Sequence, residues 1–158
     1  MRKSIKVLSV DDTIKIGEAI GRRLDFPFPI LLFGDLGVGK TVFVRGLAKG
    51  VGSPSRVKSP SFTILYIYRG GKFDIYHFDL YRLTKEGISD LFVEGYFDKE
   101  GIIVVEWAEK LFSLDCFSCY LRVDFSFTGE TERVITFSSN DERIENLIIE
   151  VSNEYIRD

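Results

Sequence analysis

The stretch Leu31–Val42, LLFGDLGVGKTV, constrains the fold more than any other part of this sequence. An apolar run, Ile30–Phe33, leads into Gly34, Gly37 and Gly39, and then into Lys40 and Thr41. Glycine inside a strand or helix destabilises by roughly 0.5–1 kcal/mol relative to alanine, so so dense a cluster must serve a backbone geometry. The apolar run reads as a strand covered on both faces. After Lys40, the spacing of Phe43, Leu47 and Val51 predicts a helix. A buried strand, a glycine turn and a helix in that order commit the chain to a layered α/β sheet. Ligands of such sheets bind beyond the carboxyl ends of the strands, where this turn falls.

Gly34-x-x-x-x-Gly39-Lys40-Thr41 fits the Walker A phosphate loop in full. Glycines let the chain bend so that successive amides point at one anion. The helix beginning near Lys40 adds unsatisfied amides and the positive end of its dipole. Lys40 can reach the outer phosphates of a nucleotide, and the Thr41 hydroxyl stands where a Mg²⁺ ligand is required. Mg²⁺ is usually held by one or two carboxylates together with phosphate oxygens and water. Ile102–Glu106, IIVVE, supplies the matching form, an apolar strand ending in an acid and, like Ile30–Phe33, expected to lead into a helix. Glu106 could bind the metal directly or through water, act as base toward an attacking water, or be a plain surface acid; the metal role is the one expected. Asp79 ends another strand, with His77 two residues before it on the same face. The pair could orient water or metal, although a lone histidine is as readily structural. The loop Val57–Thr63, VKSPSFT, carries Ser59, Ser61, Thr63 and the stiffening Pro60. It is either a polar connector or a segment that orders around a γ-phosphate.

The remaining chain reads as one domain over 1–158, long enough for a real core. Ser4–Val10 alternates as a strand, and Asp11 and Asp12 are expected to cap a helix bearing Ile16, Ile20 and Leu24. FTILYIYR and KFDIYHFDLY, joined at Gly70–Gly71, predict a hairpin. TKEGISDLFVEGYF predicts a helix broken at Gly95, CYLRVDFSF and ERVITFS a second antiparallel pair, and NDERIENLIIEVSNEYI a closing amphipathic helix. The expected architecture is a P-loop NTPase-like mixed α/β sheet, parallel at its centre, with antiparallel hairpin additions and flanking helices. Cys116 and Cys119 lack further ligands in reach and are expected to be buried, unlinked thiols. The net charge of −3 argues against broad binding of nucleic acid, DNA included. No apolar run approaches the roughly 20 residues of a membrane span, and the basic start is too short for a signal peptide. A cytoplasmic protein without membrane contact is therefore expected.

Four blocks, GDLGVGKTVFVRGLAKGVG, VKSPSFTILYIY, YHFDLYRL and IIVVEWAEK, resemble in order and distance those of the TsaE (YjeE) family. These are bacterial P-loop ATPases of tRNA N6-threonylcarbamoyladenosine formation, and the resemblance spans about Asp12 to Lys110. It implies that Gly37, Val38, Gly39, Lys40 and Thr41 hold the phosphates of ATP, that Val42 is also among the ATP-binding residues, and that Thr41 and Glu106 hold Mg²⁺. It implies catalytic weight on Lys40, Asp79 and Glu106, and a switch-like role for Val57–Thr63. Thr13 and Arg133 would approach the adenine, and Trp107 would follow the acid or belong to the core. Ser61 stands where threonine is common in the family.

The resemblance further implies a slow ATPase that serves a TsaB–TsaD pair and meets tRNA only indirectly. The sequence shows no evident arginine finger beyond the candidates Arg45 and Arg82, so turnover is expected to be weak without partners. Two other readings fit the motif. A small-molecule kinase of the same superfamily would need an arginine-rich lid, and Leu111–Ser139 offers only Arg122 and Arg133. A nucleotide-gated binding module would differ only in the fate of bound ATP.

Overall fold

The computed structural model describes residues 1–35 and 37–155. Leu36, within the glycine loop, and residues 156–158, where the expected last helix and the 1–158 domain end, lie outside the described residues. In chain order the elements are β1 (Arg2–Val7), α1 (Val10–Arg23), β2 (Ile30–Phe33), α2 (Lys40–Gly50), β3 (Leu65–Tyr68) and β4 (Ile75–Asp79). They continue with α3 (Lys85–Val93), β5 (Ile102–Glu106), β6 (Leu121–Phe127), β7 (Arg133–Ser139) and α4 (Glu142–Tyr155). The strands form one sheet in the order β1-β7-β6-β2-β5-β4-β3. The β2 strand runs parallel to both β5 and β6, and β4 runs parallel to β5. The β1–β7, β6–β7 and β3–β4 pairs are antiparallel. This is the expected mixed sheet, parallel at its centre.

The two apolar runs lie side by side because only a strand covered on both faces can use them. Ile30, Leu32, Ile102 and Val104 face the larger core, formed with α1, α2 and α4. Leu31, Ile103 and Val105 face the smaller core, with Leu80, Ile88 and Phe97. Glu106 continues the series of Ile102 and Val104, so its side chain emerges on the α2 side, where α2 begins. His77 and Asp79 follow Ile75 to that same side.

Three expectations need correction. The cap of α1 is Ser9, whose hydroxyl accepts from the Asp12 amide, because Val10 already has helical geometry; the Asp12 carboxylate instead accepts from the Leu8 amide at 3.0 Å. The β5 strand leads not into an α-helix but into one 3₁₀ turn, Ala108–Lys110. Cys116 is exposed and Cys119 half-buried; both are free, but a 3₁₀ turn over Leu114–Cys116 lifts the first out of the core. No helix is long and apolar enough to cross a membrane among the described residues.

Candidate nucleotide site

The turn from β2 to α2 is made by residues in the left-handed region. Gly37 has φ 75°, and Gly39, the N-cap of α2, has φ 113°, a conformation that disfavours every side chain. Among the described residues no side chain caps this helix start, which leaves its first amides for an anion. The base of the loop is held by the Glu109 carboxylate, which accepts from the Gly34 amide at 2.8 Å.

The side chains of Lys40, Thr41, Ser61, Asp79 and Glu106 converge around this helix start. Lys40 is 4% exposed; its ammonium donates to the Gly34 carbonyl and lies 3.7 Å from the centre of the Trp107 ring. Burial pulls its pKa below the usual lysine value, and the nearby carboxylates of Glu109, Glu106, Asp79 and Asp35 oppose that pull. The Thr41 hydroxyl donates to Glu106 Oε2 at 2.8 Å. Asp79 accepts from the Ser61 hydroxyl at 3.0 Å and from the Tyr81 amide at 2.9 Å. Glu106 and Asp79 sit on adjacent strands in direct register. A cavity of about 230 Å³ is lined by Gly37, Gly39, Lys40, Thr41, Val42, Ser59, Ser61, Asp79, Glu106 and Trp107.

A second cavity of about 390 Å³ opens on the other side of Gly37–Gly39. It is lined by Val38, Val42, Thr13 from α1 and Arg133 from β7. The Arg133 guanidinium stacks 4.1 Å from the Phe127 ring and donates to the carbonyls of Glu130 and Glu132. Thus Thr13, Gly37, Val38, Gly39, Lys40, Thr41, Val42, Asp79, Glu106 and Arg133 each line one of two adjoining hollows, whereas His77 lines neither. A triphosphate suits the first, with its uncapped amides and lysine. The oxygen donors of Thr41, Glu106 and Asp79 suit a hard cation, and a flat base suits the second, more apolar hollow.

Trp107 and Tyr68 bear on the site more than their positions in the sequence indicate. Trp107 itself has φ 59°, a strained value for a bulky residue beside an acid, and its ring stacks on Tyr81 at 4.8 Å. His77, entertained as structural, is fully buried with Nε2 2.6 Å from Glu106 Oε2 and Nδ1 2.8 Å from the Tyr68 hydroxyl. Nothing in local spacing announces these contacts, because they depend on the register of three strands. Arg82, an arginine-finger candidate, is exposed and stacks on Phe62 at 4.2 Å.

Comparison with known proteins bears on the family and the fold. The family model described as Threonylcarbamoyl adenosine biosynthesis protein TsaE matches residues 7–135. The tRNA threonylcarbamoyladenosine biosynthesis protein TsaE of Bacillus subtilis is 40% identical over 123 residues, 78% of this chain and 77% of that one. The protein of the same name from Synechocystis is 44% identical over 99 residues; there the alignment spans 60% of this chain and 63% of the relative. A crystal structure of Bacillus subtilis YdiB superposes with a TM-score of 0.77 at 30% identity, covering 98% of this chain and 96% of the other.

Proposed function

The chain belongs to the TsaE family of threonylcarbamoyl adenosine biosynthesis proteins, and on that premise we propose that it is a slow, Mg²⁺-dependent ATPase of tRNA N6-threonylcarbamoyladenosine formation. It acts in the cytoplasm on a TsaB–TsaD-type pair and touches tRNA only through that pair. The observation that carries this reading is the contact of Thr41 with Glu106 at 2.8 Å, beside an uncapped helix start and a buried lysine. A plain strand-to-helix turn has no use for a buried lysine and two buried carboxylates, each of which is costly unless a ligand or partner compensates.

Gly37, Val38, Gly39 and the first amides of α2 would bind the phosphates, with Lys40 exchanging the Gly34 carbonyl for phosphate oxygens. Thr41 and Glu106 would hold Mg²⁺, which would offset the charge of the phosphates. Asp79, fixed by Ser61 and the Tyr81 amide, is the carboxylate placed to orient a water. Thr13 and Arg133 would enclose the adenine in the second hollow. The kinase reading loses support because residues 121–127 and 133–139 are strands of the sheet, and Arg122 is engaged by Asp124 at 2.8 Å. The test is ATP hydrolysis by the chain alone and with its TsaB–TsaD partners. Weak turnover alone and a clear rise with partners is expected; equal, fast rates in both would contradict the proposal.

A further inference from the structure

Both buried carboxylates of the site are tied to one loop. Asp79 Oδ2 accepts from Ser61, whose hydroxyl is 2.8 Å from that of Ser59. Glu106 reaches the same loop by a longer route. Its Oε2 is 2.6 Å from His77 Nε2, and His77 Nδ1 is 2.8 Å from the Tyr68 hydroxyl. That hydroxyl lies 3.0 Å from the Lys58 carbonyl oxygen and accepts from the Lys58 amide at 3.3 Å. Tyr68 and His77 are both buried on the α2 side of the sheet. An apolar pair would fill that space without needing polar partners, so the hydroxyl and imidazole call for a role.

The Tyr68 hydroxyl has a single proton and two acceptors beside it, the Lys58 carbonyl and His77 Nδ1. With Lys58 in place the two compete. Were Lys58 withdrawn, the hydroxyl would donate its hydrogen bond to Nδ1 alone, and the neutral ring would carry its single N–H proton on Nε2, directed at Glu106. The loop itself is held under strain at its far end: Ile64, β-branched, has φ 71°. It stays there with its amide donating to the Pro60 carbonyl at 2.7 Å and its carbonyl accepting from the Asp79 amide at 2.9 Å.

We propose that Tyr68 and His77 are positioning residues that transmit the placement of the Val57–Thr63 loop to the Glu106 carboxylate, and so tune its grip on a divalent cation. This rests on the nucleotide-and-metal reading given above. Neither side chain need touch nucleotide or metal. Outer partners of this kind usually change metal affinity or activity by about 10–100-fold when removed.

The experiment titrates Mn²⁺ into the full chain with a saturating non-hydrolysable ATP analogue, followed by electron paramagnetic resonance. Binding of the analogue in excess EDTA serves as the control for an intact fold. The variants are Tyr68→Phe, which keeps the ring and removes only the hydroxyl, His77→Leu and His77→Gln, whose amide can still donate to Glu106. Metal-free analogue binding should stay within about twofold of wild type in Tyr68→Phe, while Mn²⁺ binding weakens about tenfold. His77→Leu should weaken Mn²⁺ binding at least as much, and His77→Gln should recover part of the loss. Wild-type Mn²⁺ affinity in Tyr68→Phe would overturn the inference while leaving the nucleotide site standing. A wild-type chain that binds no analogue at all would overturn the proposed function and this inference together.

Discussion

Lys40 buries its amine between the Gly34 carbonyl and the Trp107 ring, and its lowered pKa reflects burial that outweighs the nearby carboxylates of Glu109, Glu106, Asp79 and Asp35. Such a group lowers stability for the sake of a ligand. Lys40→Met, with an unbranched apolar side chain, is therefore expected to leave the urea-derived stability of the nucleotide-free protein unchanged or raised by up to about 1 kcal/mol. The same substitution should weaken ATP binding by about tenfold or more, the scale of a charged hydrogen bond of about 1.5–3 kcal/mol. Tyr68 makes a separate prediction. Burial pushes its phenol up from 10.0 to about 12. A raised pKa means that the native state holds its proton where the unfolded chain has released it. Its contribution is fully present below pH 10 and is lost as pH rises toward 12, by up to about 2–3 kcal/mol. Urea unfolding between pH 9 and pH 12 should show a steeper loss for wild type than for Tyr68→Phe.

At the scale of elements, the site depends on how closely α1 and α2 approach. Gly17 and Gly21 on α1 meet Gly46 and Gly50 on α2 so tightly that an added Cβ would strike main-chain atoms of the facing helix. A Cβ on Gly46 would fall on the Ile14 carbonyl, which is backbone and cannot swing aside. Overpacking of this kind costs about 1–3 kcal/mol, and Gly46→Ala is expected to lower the urea-derived stability by at least the middle of that range. This helix contact also places Thr13 over the glycine loop, so the variant should weaken nucleotide binding too. The strand, glycine loop and helix of the proposed phosphate site were legible because each is a local signal: an apolar run, a glycine cluster, a helical period. The first helix cap was less so, since Ser9, Asp11 and Asp12 all have suitable side chains and only the backbone at Val10 decides among them. The Cys116–Cys119 turn misled for a related reason, as burial of a short loop is set by neighbours and not by its own composition.

For the whole molecule, sheet order decides what can meet. β2 lies between β5 and β6, with β4 beyond β5, so Lys40, Glu106 and Asp79 converge although they are far apart in sequence. The carboxyl-edge rule made that convergence legible for the glycine loop and Glu106, whereas for Asp79 it came from the family resemblance. The Tyr68–His77–Glu106 chain was not, because it needs the Tyr66–His77 and Asp79–Glu106 registers, which nothing local fixes. Nor does spacing join Thr13 to Arg133, which come from near the two ends of the chain; only the family resemblance did so. If the convergent acids hold a cation, Glu106→Gln should keep metal-free ATP binding within a fewfold and lose most Mg²⁺-stimulated hydrolysis, as read by phosphate release. The most direct test of the central claim is calorimetric titration of ATP into the wild-type chain, with and without Mg²⁺, and into Lys40→Met. The account predicts one site per chain, tighter with Mg²⁺ and weakened at least tenfold by Lys40→Met; an absence of binding heat, or binding indifferent to both magnesium and Lys40, would contradict it.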